Sequence, residues 1–274
     1  MKVRIMTEGK IGVFDSGIGG LTVLKEIIKH LPYEDIIYFG DGKRTPYGGK
    51  SKETIELFAL QSMKFLTQKG AKAVVIACNT VSSNAMDVIN ANYSLPVIGV
   101  ISTTAELAFS ESKNKKIGVI GTKATVESRS YEKALKALDT SITVFQKSCP
   151  LFVPLAEEGI EWWDDEITEM VAKRYFNSFS NTDIDTLILG CTHYPLLKEV
   201  IRRTIGKGVN LVDSALITAS QTKEILGKMK LLKTQKAKGS LEVFTSDSIE
   251  RFMPLCTAIL GINNINIQKC DVGE

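Results

Sequence analysis

The chain has 274 residues, 44% of them hydrophobic and 24% charged, which is the balance of a folded globular protein and excludes a disordered, collagenous or coiled-coil chain. Thirty-four Lys and Arg against 31 Asp and Glu leave a net charge of +3, too small an excess to argue for nucleic acid or an anionic membrane as a partner. Met1 to Lys10 lacks the apolar stretch of a signal peptide and no run reaches the roughly 20 apolar residues of a spanning helix, so a cytoplasmic protein is expected.

Taken in chain order, apolar runs of strand length lie at Ile11–Asp15, Ile36–Gly40, Ala73–Ala77, Val97–Val100, Ile117–Ile120, Leu187–Gly190, Leu211–Val212 and Leu241–Phe244. Continuous apolar strands of this kind belong in a parallel sheet covered on both faces. Between them, helical spacing predicts helices over Leu21–His30, residues 51–69, residues 80–92, Glu127–Leu138 and Pro195–Thr204, the second closed by Gly70. Strand–helix alternation predicts a doubly wound α/β fold.

A weak internal repeat organises these elements. Lys10-Ile-Gly-Val-Phe-Asp15-Ser16 resembles Lys116-Ile-Gly-Val-Ile-Gly121-Thr122. Lys72-Ala-Val-Val-Ile-Ala-Cys78-Asn-Thr80 resembles Asp185-Thr-Leu-Ile-Leu-Gly-Cys191-Thr-His193, and in both copies a strand follows some way after the cysteine. The repeat predicts two pseudosymmetric α/β lobes with mostly parallel sheets and a site in the cleft between them. Residues 1–99 and 211–274 would form the first lobe, with Leu241–Phe244 returning to complete it, and residues 100–210 the second.

Two glycine-rich motifs fail. Gly48-Gly-Lys50-Ser51 resembles the end of a phosphate-binding loop, but Arg44 stands where that pattern needs its first glycine. Gly17-Ile-Gly19-Gly20 lacks the third spaced glycine of a dinucleotide fingerprint, because Thr22 occupies that place. Gly19 and Gly20 then read as a tight strand-to-helix turn. Asp15-Ser16 is different: it sets a carboxylate and a hydroxyl at the carboxyl end of a strand, the edge where open α/β sheets bind ligands. Three more segments finish at that edge: Gly40–Gly49, Ala77-Cys78-Asn79-Thr80 and Gly190-Cys191-Thr192-His193-Tyr194-Pro195. A substrate carboxylate between two helix N-termini would collect donors from Asn79, Thr80 and Thr192. Each thiol, at the start of a helix, is expected to have a lowered pKa.

Five widely spaced cysteines without a CxxC pair read as free thiols. Cys149, Cys256 and Cys270 read as small core hydrophobes, whereas Cys78 and Cys191 hold matching repeat positions and precede polar residues. His30 reads as a helix C-terminal cap, and His193, two places after an edge cysteine, as functional. With only two histidines in the chain, no metal site is expected. Three functions remain open on the residues alone. A Cys191–His193 hydrolase leaves Cys78 without a purpose, and a non-catalytic amino-acid-binding protein needs neither thiol. In the third, matched cysteines on facing lobes flank one carbon, one removing its proton while the other delivers one to the opposite face. Donors aimed at the α-carboxylate would stabilise the carbanion-like transition state, and Asp15 and His193 stand on opposite lobes to activate the two thiols.

Asp15-Ser-Gly-Ile-Gly-Gly20, Pro46-Tyr-Gly48, Ala77-Cys-Asn-Thr80, Phe152-Val-Pro-Leu-Ala-Glu157-Glu158-Gly and Gly190-Cys-Thr-His-Tyr-Pro195 together resemble the bacterial glutamate racemases, from about Ile11 to Ser214, with weaker echoes such as Phe244-Thr-Ser-Asp247. The resemblance implies a cofactor-independent interconversion of L- and D-glutamate, which supplies D-glutamate for peptidoglycan, and a homodimer. It implies that Cys78 acts on the α-proton of D-glutamate with help from Asp15, and Cys191 on that of L-glutamate with help from His193 and from Glu157 or Glu158, the first favoured by register. Asp15, Ser16, Tyr47, Gly48, Asn79, Thr80, Thr192 and His193 would line the substrate, with Thr122 a further member. The chain lacks the long N-terminal extension linked to activation by a peptidoglycan precursor in some relatives, so such regulation is not expected. The aspartate racemases share the two-cysteine logic and are the nearest rivals. Trp162 and Trp163 read either as a subunit contact or as packing within one lobe.

Overall fold

The computed structural model of the chain describes residues 8–273. Met1 to Thr7, most of the segment read above as lacking a leader, lie outside the described residues. Among the described residues ten strands alternate with helices: β1 Lys10–Asp15, β2 Ile36–Gly40, β3 Ala71–Ile76, β4 Val97–Gly99, β5 Lys116–Gly121, β6 Thr143–Ser148, β7 Thr186–Gly190, β8 Asn210–Val212, β9 Leu241–Thr245 and β10 Ile267–Lys269. They form two sheets, one in the order β10-β9-β2-β1-β3-β4 and one in the order β6-β5-β7-β8. Every pairing is parallel. The repeat is visible in this order. β2-β1-β3-β4 and β6-β5-β7-β8 are the same arrangement used twice, with each cysteine one or two residues beyond the third strand of its copy.

Physical chemistry explains which elements were legible. The central strands β1 and β7 are buried throughout or nearly so, as strands covered on both faces must be. The two strands without an apolar run, β6 (TVFQKS) and β10 (IQK), lie at sheet edges and are half-buried or exposed along most of their length. Helix Leu21–His30 has the expected bounds, and His30 Nδ1 lies 2.9 Å from the Glu26 carbonyl in its last turn. Lys52–Gln68 starts on a Ser51 side-chain cap and is followed by Gly70 at φ 85°. The other three predicted helices are each divided. The first breaks at Ala85 and the second at Arg129, which adopts φ 54°, while the third begins as a tight turn over Tyr194–Leu197 before Lys198–Ile205. Helices Ile101–Glu111, Phe152–Glu158, Glu166–Phe176, Ala215–Lys228 and Ile249–Leu260 complete the layers.

The second sheet runs two residues past the expected lobe border, because Leu211 and Val212 pair with Leu187 and Ile188 of β7. β9 pairs with β2, so the C-terminal segment extends the first sheet. Core side chains divide accordingly, with Ile11, Leu24, Tyr38 and Val243 in one cluster and Phe152, Leu189, Tyr194 and Ile201 in another. Trp163 packs against both and donates its indole N–H to the Ala156 carbonyl at 2.9 Å. Among the described residues no helix is long and apolar enough to cross a membrane.

Candidate active site

The carboxyl ends of β1, β3, β5 and β7 converge on a small cavity of about 20 Å³, lined by residues of both sheets. Ser16, Tyr47, Gly48, Cys78, Asn79 and Thr80 come from the first, and Thr122, Cys191, Thr192 and His193 from the second. Both cysteines therefore line one cavity. It has room for about one water.

The Cys78 side is sealed and acidic. Cys78 is buried and its thiol points to Ser16 Oγ at 3.4 Å. Asp15 is fully buried behind it, accepting from the Gly17 amide at 3.0 Å and from Thr192 Oγ1, across the cleft, at 3.1 Å. Burial, against the pull of His193 and these hydrogen bonds, raises the Asp15 pKa. The Cys78 thiol is pushed up to about 12, first by burial and then by the Asp15 charge. This corrects the expectation of a lowered pKa at Cys78. The helix that Cys78 opens, Asn79–Asn84, has only six residues, and a short helix dipole is a smaller effect than full desolvation.

The Cys191 side is a hydrogen-bonded chain. Cys191 Sγ lies 3.7 Å from His193 Nδ1, and His193 Nε2 lies 2.8 Å from Glu157 Oε1. Burial disfavours the imidazolium, yet the bonds to Cys191 and Glu157 outweigh it and raise the His193 pKa well above its ordinary value. Glu157, near the end of helix Phe152–Glu158, reaches His193, and both Glu157 and Glu158 line an outer cleft of about 880 Å³. Cys149 and Cys256 are buried among apolar side chains and Cys270 is half-buried.

Further hydrogen-bonding side chains line the cavity that the two cysteines share. Asn79 Oδ1 accepts from Tyr131 OH at 2.6 Å, but its buried Nδ2 has no partner. Buried donors are nearly always satisfied, and this one belongs to a cavity-lining side chain. Thr80 and Thr122 hydroxyls meet across the cleft at 2.9 Å, and Thr125 adds a third oxygen 3.0 Å from Thr122.

Several contributors had no sequence signal. Tyr131 sits on an amphipathic helix and shows its hydroxyl role only once the lobes face each other. Asp41, fully buried, holds the Tyr47 loop by accepting from Tyr47 OH, from Arg44 Nε at 2.6 Å and from Ser246 Oγ at 2.7 Å. Gly19 and Gly20 are needed for close approach, which the turn reading missed. A Cβ on Gly19 would lie 2.4 Å from Thr192 Oγ1 and 2.7 Å from His193 Nδ1, and one on Gly20 would lie 2.4 Å from Asp15 Cβ.

Residues 11–222 match the model of the Asp/Glu/hydantoin racemase family. The chain belongs to that family. The glutamate racemase of Geobacter metallireducens is 47% identical over 92% of each chain. Among solved structures, the glutamate racemase isoform RacE1 of Bacillus anthracis superposes with a TM-score of 0.92 at 39% identity, covering 97% of this chain and 99% of that one. The Francisella tularensis glutamate racemase in complex with D-glutamate gives a TM-score of 0.91, also at 39% identity, covering 97% and 99%. In this family member, then, the convergent strand ends and the cavity between them occupy the same two-lobed fold.

Proposed function

We propose that the chain is a glutamate racemase that interconverts L- and D-glutamate by two-base proton transfer without a cofactor. The observation that carries this reading is that Cys78 and Cys191, one from each repeat, line a single cavity. A hydrolase using Cys191 and His193 leaves the first thiol without work.

In the proposed reaction Cys78 removes the α-proton of D-glutamate while Cys191 delivers one to the opposite face, and the roles reverse for L-glutamate. Ser16 holds the Cys78 thiol and Asp15 acts on it through its charge. His193, held by Glu157, serves Cys191. The unpartnered Asn79 amide, with Thr80, receives the α-carboxylate and stabilises the carbanion-like transition state. Tyr47, Gly48, Thr122 and Thr192 complete the wall. The cavity is too small for glutamate as it stands, so the lobes part to admit it beside Thr45, which borders both the cavity and the outer cleft. We further infer a cytoplasmic homodimer that supplies D-glutamate for peptidoglycan.

Chiral chromatography with L-Glu, D-Glu, L-Asp and D-Asp tests the reading. Interconversion of the two glutamates alone is the expected result. Faster interconversion of the aspartates would move the chain to the aspartate racemases, and no interconversion at all would overturn the proposal.

A further inference from the structure

Asn79 supplies the cavity wall with a buried donor that has no partner, yet an asparagine side chain does not by itself fix which end faces a ligand. Its carbonyl and its NH2 group share one plane and have nearly the same shape. A half-turn therefore exchanges a donor that attracts a carboxylate for an acceptor that repels it. The choice falls to the surroundings. Asn79 is 1% exposed, its Nδ2 is unpartnered, and its Oδ1 accepts from Tyr131 OH at 2.6 Å.

Tyr131 comes from the opposite lobe. It lies in helix Ser130–Leu138 and is fully buried in an apolar cluster with Ile117, Val119, Leu135 and Ile188. Two contacts fix its reach. Its ring packs against Gly190, the residue before Cys191, where an added Cβ would come within 3.0 Å of it. Its neighbour Ser130 donates to the Ser83 carbonyl at 2.9 Å, tying the start of its helix to helix Asn79–Asn84. Thr104, a further side chain beside the phenol, gives its own proton to the Val100 carbonyl at 2.6 Å. Burial raises the phenol pKa above its ordinary value, so Tyr131 keeps its proton and stays a donor.

We propose that Tyr131 is a positioning residue of the racemase site, whose hydroxyl turns the Asn79 amide so that its N–H, and not its carbonyl, meets the substrate's α-carboxylate. Tyr131 touches no reacting atom. One ring spans from the strand end before Cys191 to the residue after Cys78, so the second lobe sets the anion donor that the first lobe supplies.

This inference deepens the racemase reading and rests on it. A carboxylate only accepts hydrogen bonds, whereas a carboxamide also donates, and an oriented amide must tell them apart. Racemic glutamate, its α-amide and its γ-amide are titrated calorimetrically into the native protein and into Tyr131→Phe, which loses one hydroxyl and keeps the ring. Racemic ligands are used because racemisation leaves their composition unchanged. The native protein is expected to bind glutamate about tenfold or more tightly than the α-amide. In Tyr131→Phe the Asn79 amide turns either way, so that preference should shrink by about threefold or more, while the preference over the γ-amide stays within about twofold of native. Preferences that do not change, with all three ligands weakened equally or not at all, would make Tyr131 a packing residue and overturn the proposal. Should the variant not fold, the native protein decides: equal affinity for glutamate and its α-amide overturns the oriented donor. A native protein that shows the expected preference but never interconverts the glutamates would instead defeat the racemase reading and leave the orientation of Asn79 standing.

Discussion

The two halves of the site carry the same thiol at the same place in the same strand order, yet their surroundings are unlike. Cys78 faces a hydroxyl, with a buried carboxylate behind it, and its thiol is pushed up to about 12 by burial and by Asp15. Cys191 faces an imidazole that is itself tied to a carboxylate at the edge of the outer cleft. The duplicated backbone places the sulfurs, and the loops that differ between the copies supply each one's chemistry. Symmetry of position thus coexists with asymmetry of environment. The equilibrium between enantiomers is symmetric, so kcat/KM must be equal in the two directions. The asymmetry is therefore visible only in individual steps and in pH dependence.

The comparison breaks most sharply if either sulfur is removed. Cys78→Ser and Cys191→Ser are each expected to lower racemisation by about a thousandfold or more, read by chiral chromatography, with glutamate affinity largely retained in a calorimetric titration. Full activity in either variant would show that one base suffices. A smaller effect probes the contact between the halves. Gly19→Ala places a methyl against Thr192 and His193 and is expected to cost about 1–3 kcal/mol of stability through overpacking, with a fall in kcat/KM that is equal for both enantiomers. Retention of native stability and activity would show that the close approach is not needed.

The smallest effect concerns pH. A thiol held above its ordinary value keeps its proton in the folded protein while the unfolded chain loses it. Stability must therefore fall as pH rises from the ordinary thiol value toward about 12. Chemical denaturation at successive pH values should show the native protein losing up to about 1 kcal/mol per pH unit more than Cys78→Ser above about pH 9. Parallel pH profiles for the two proteins would contradict a raised Cys78.

Most of this architecture was legible in the chain because hydrophobic continuity marks buried parallel strands, and the repeat gave away both the duplication and the paired cysteines. The edge strands β6 and β10 were hidden because strands with an exposed face carry polar residues. Within the site, residues next to the cysteines or in the racemase motifs were readable, including Asp15, Ser16, Asn79, Thr80, Thr192 and His193. Tyr131 was not, since its partner Asn79 is distant in sequence, and Asp41 was not, since its part rests on full burial and on Ser246 as well as on the nearby Arg44 and Tyr47. The Cys78 pKa runs against the sequence expectation for a related reason. A helix start can be read from neighbouring residues, but the depth of burial that outweighs it arises only when the whole fold closes over Cys78.

The central claim is that two thiols act from opposite faces of one carbon, and conversion in D2O tests it most directly. Starting from L-glutamate with protium at Cα, the D-glutamate formed early in the reaction should carry deuterium at Cα while the remaining L-glutamate keeps its protium, and the mirror experiment should give the mirror result. Early D-glutamate that retains the original proton, or deuterium appearing equally in both pools from the start, would mean that a single base serves both faces.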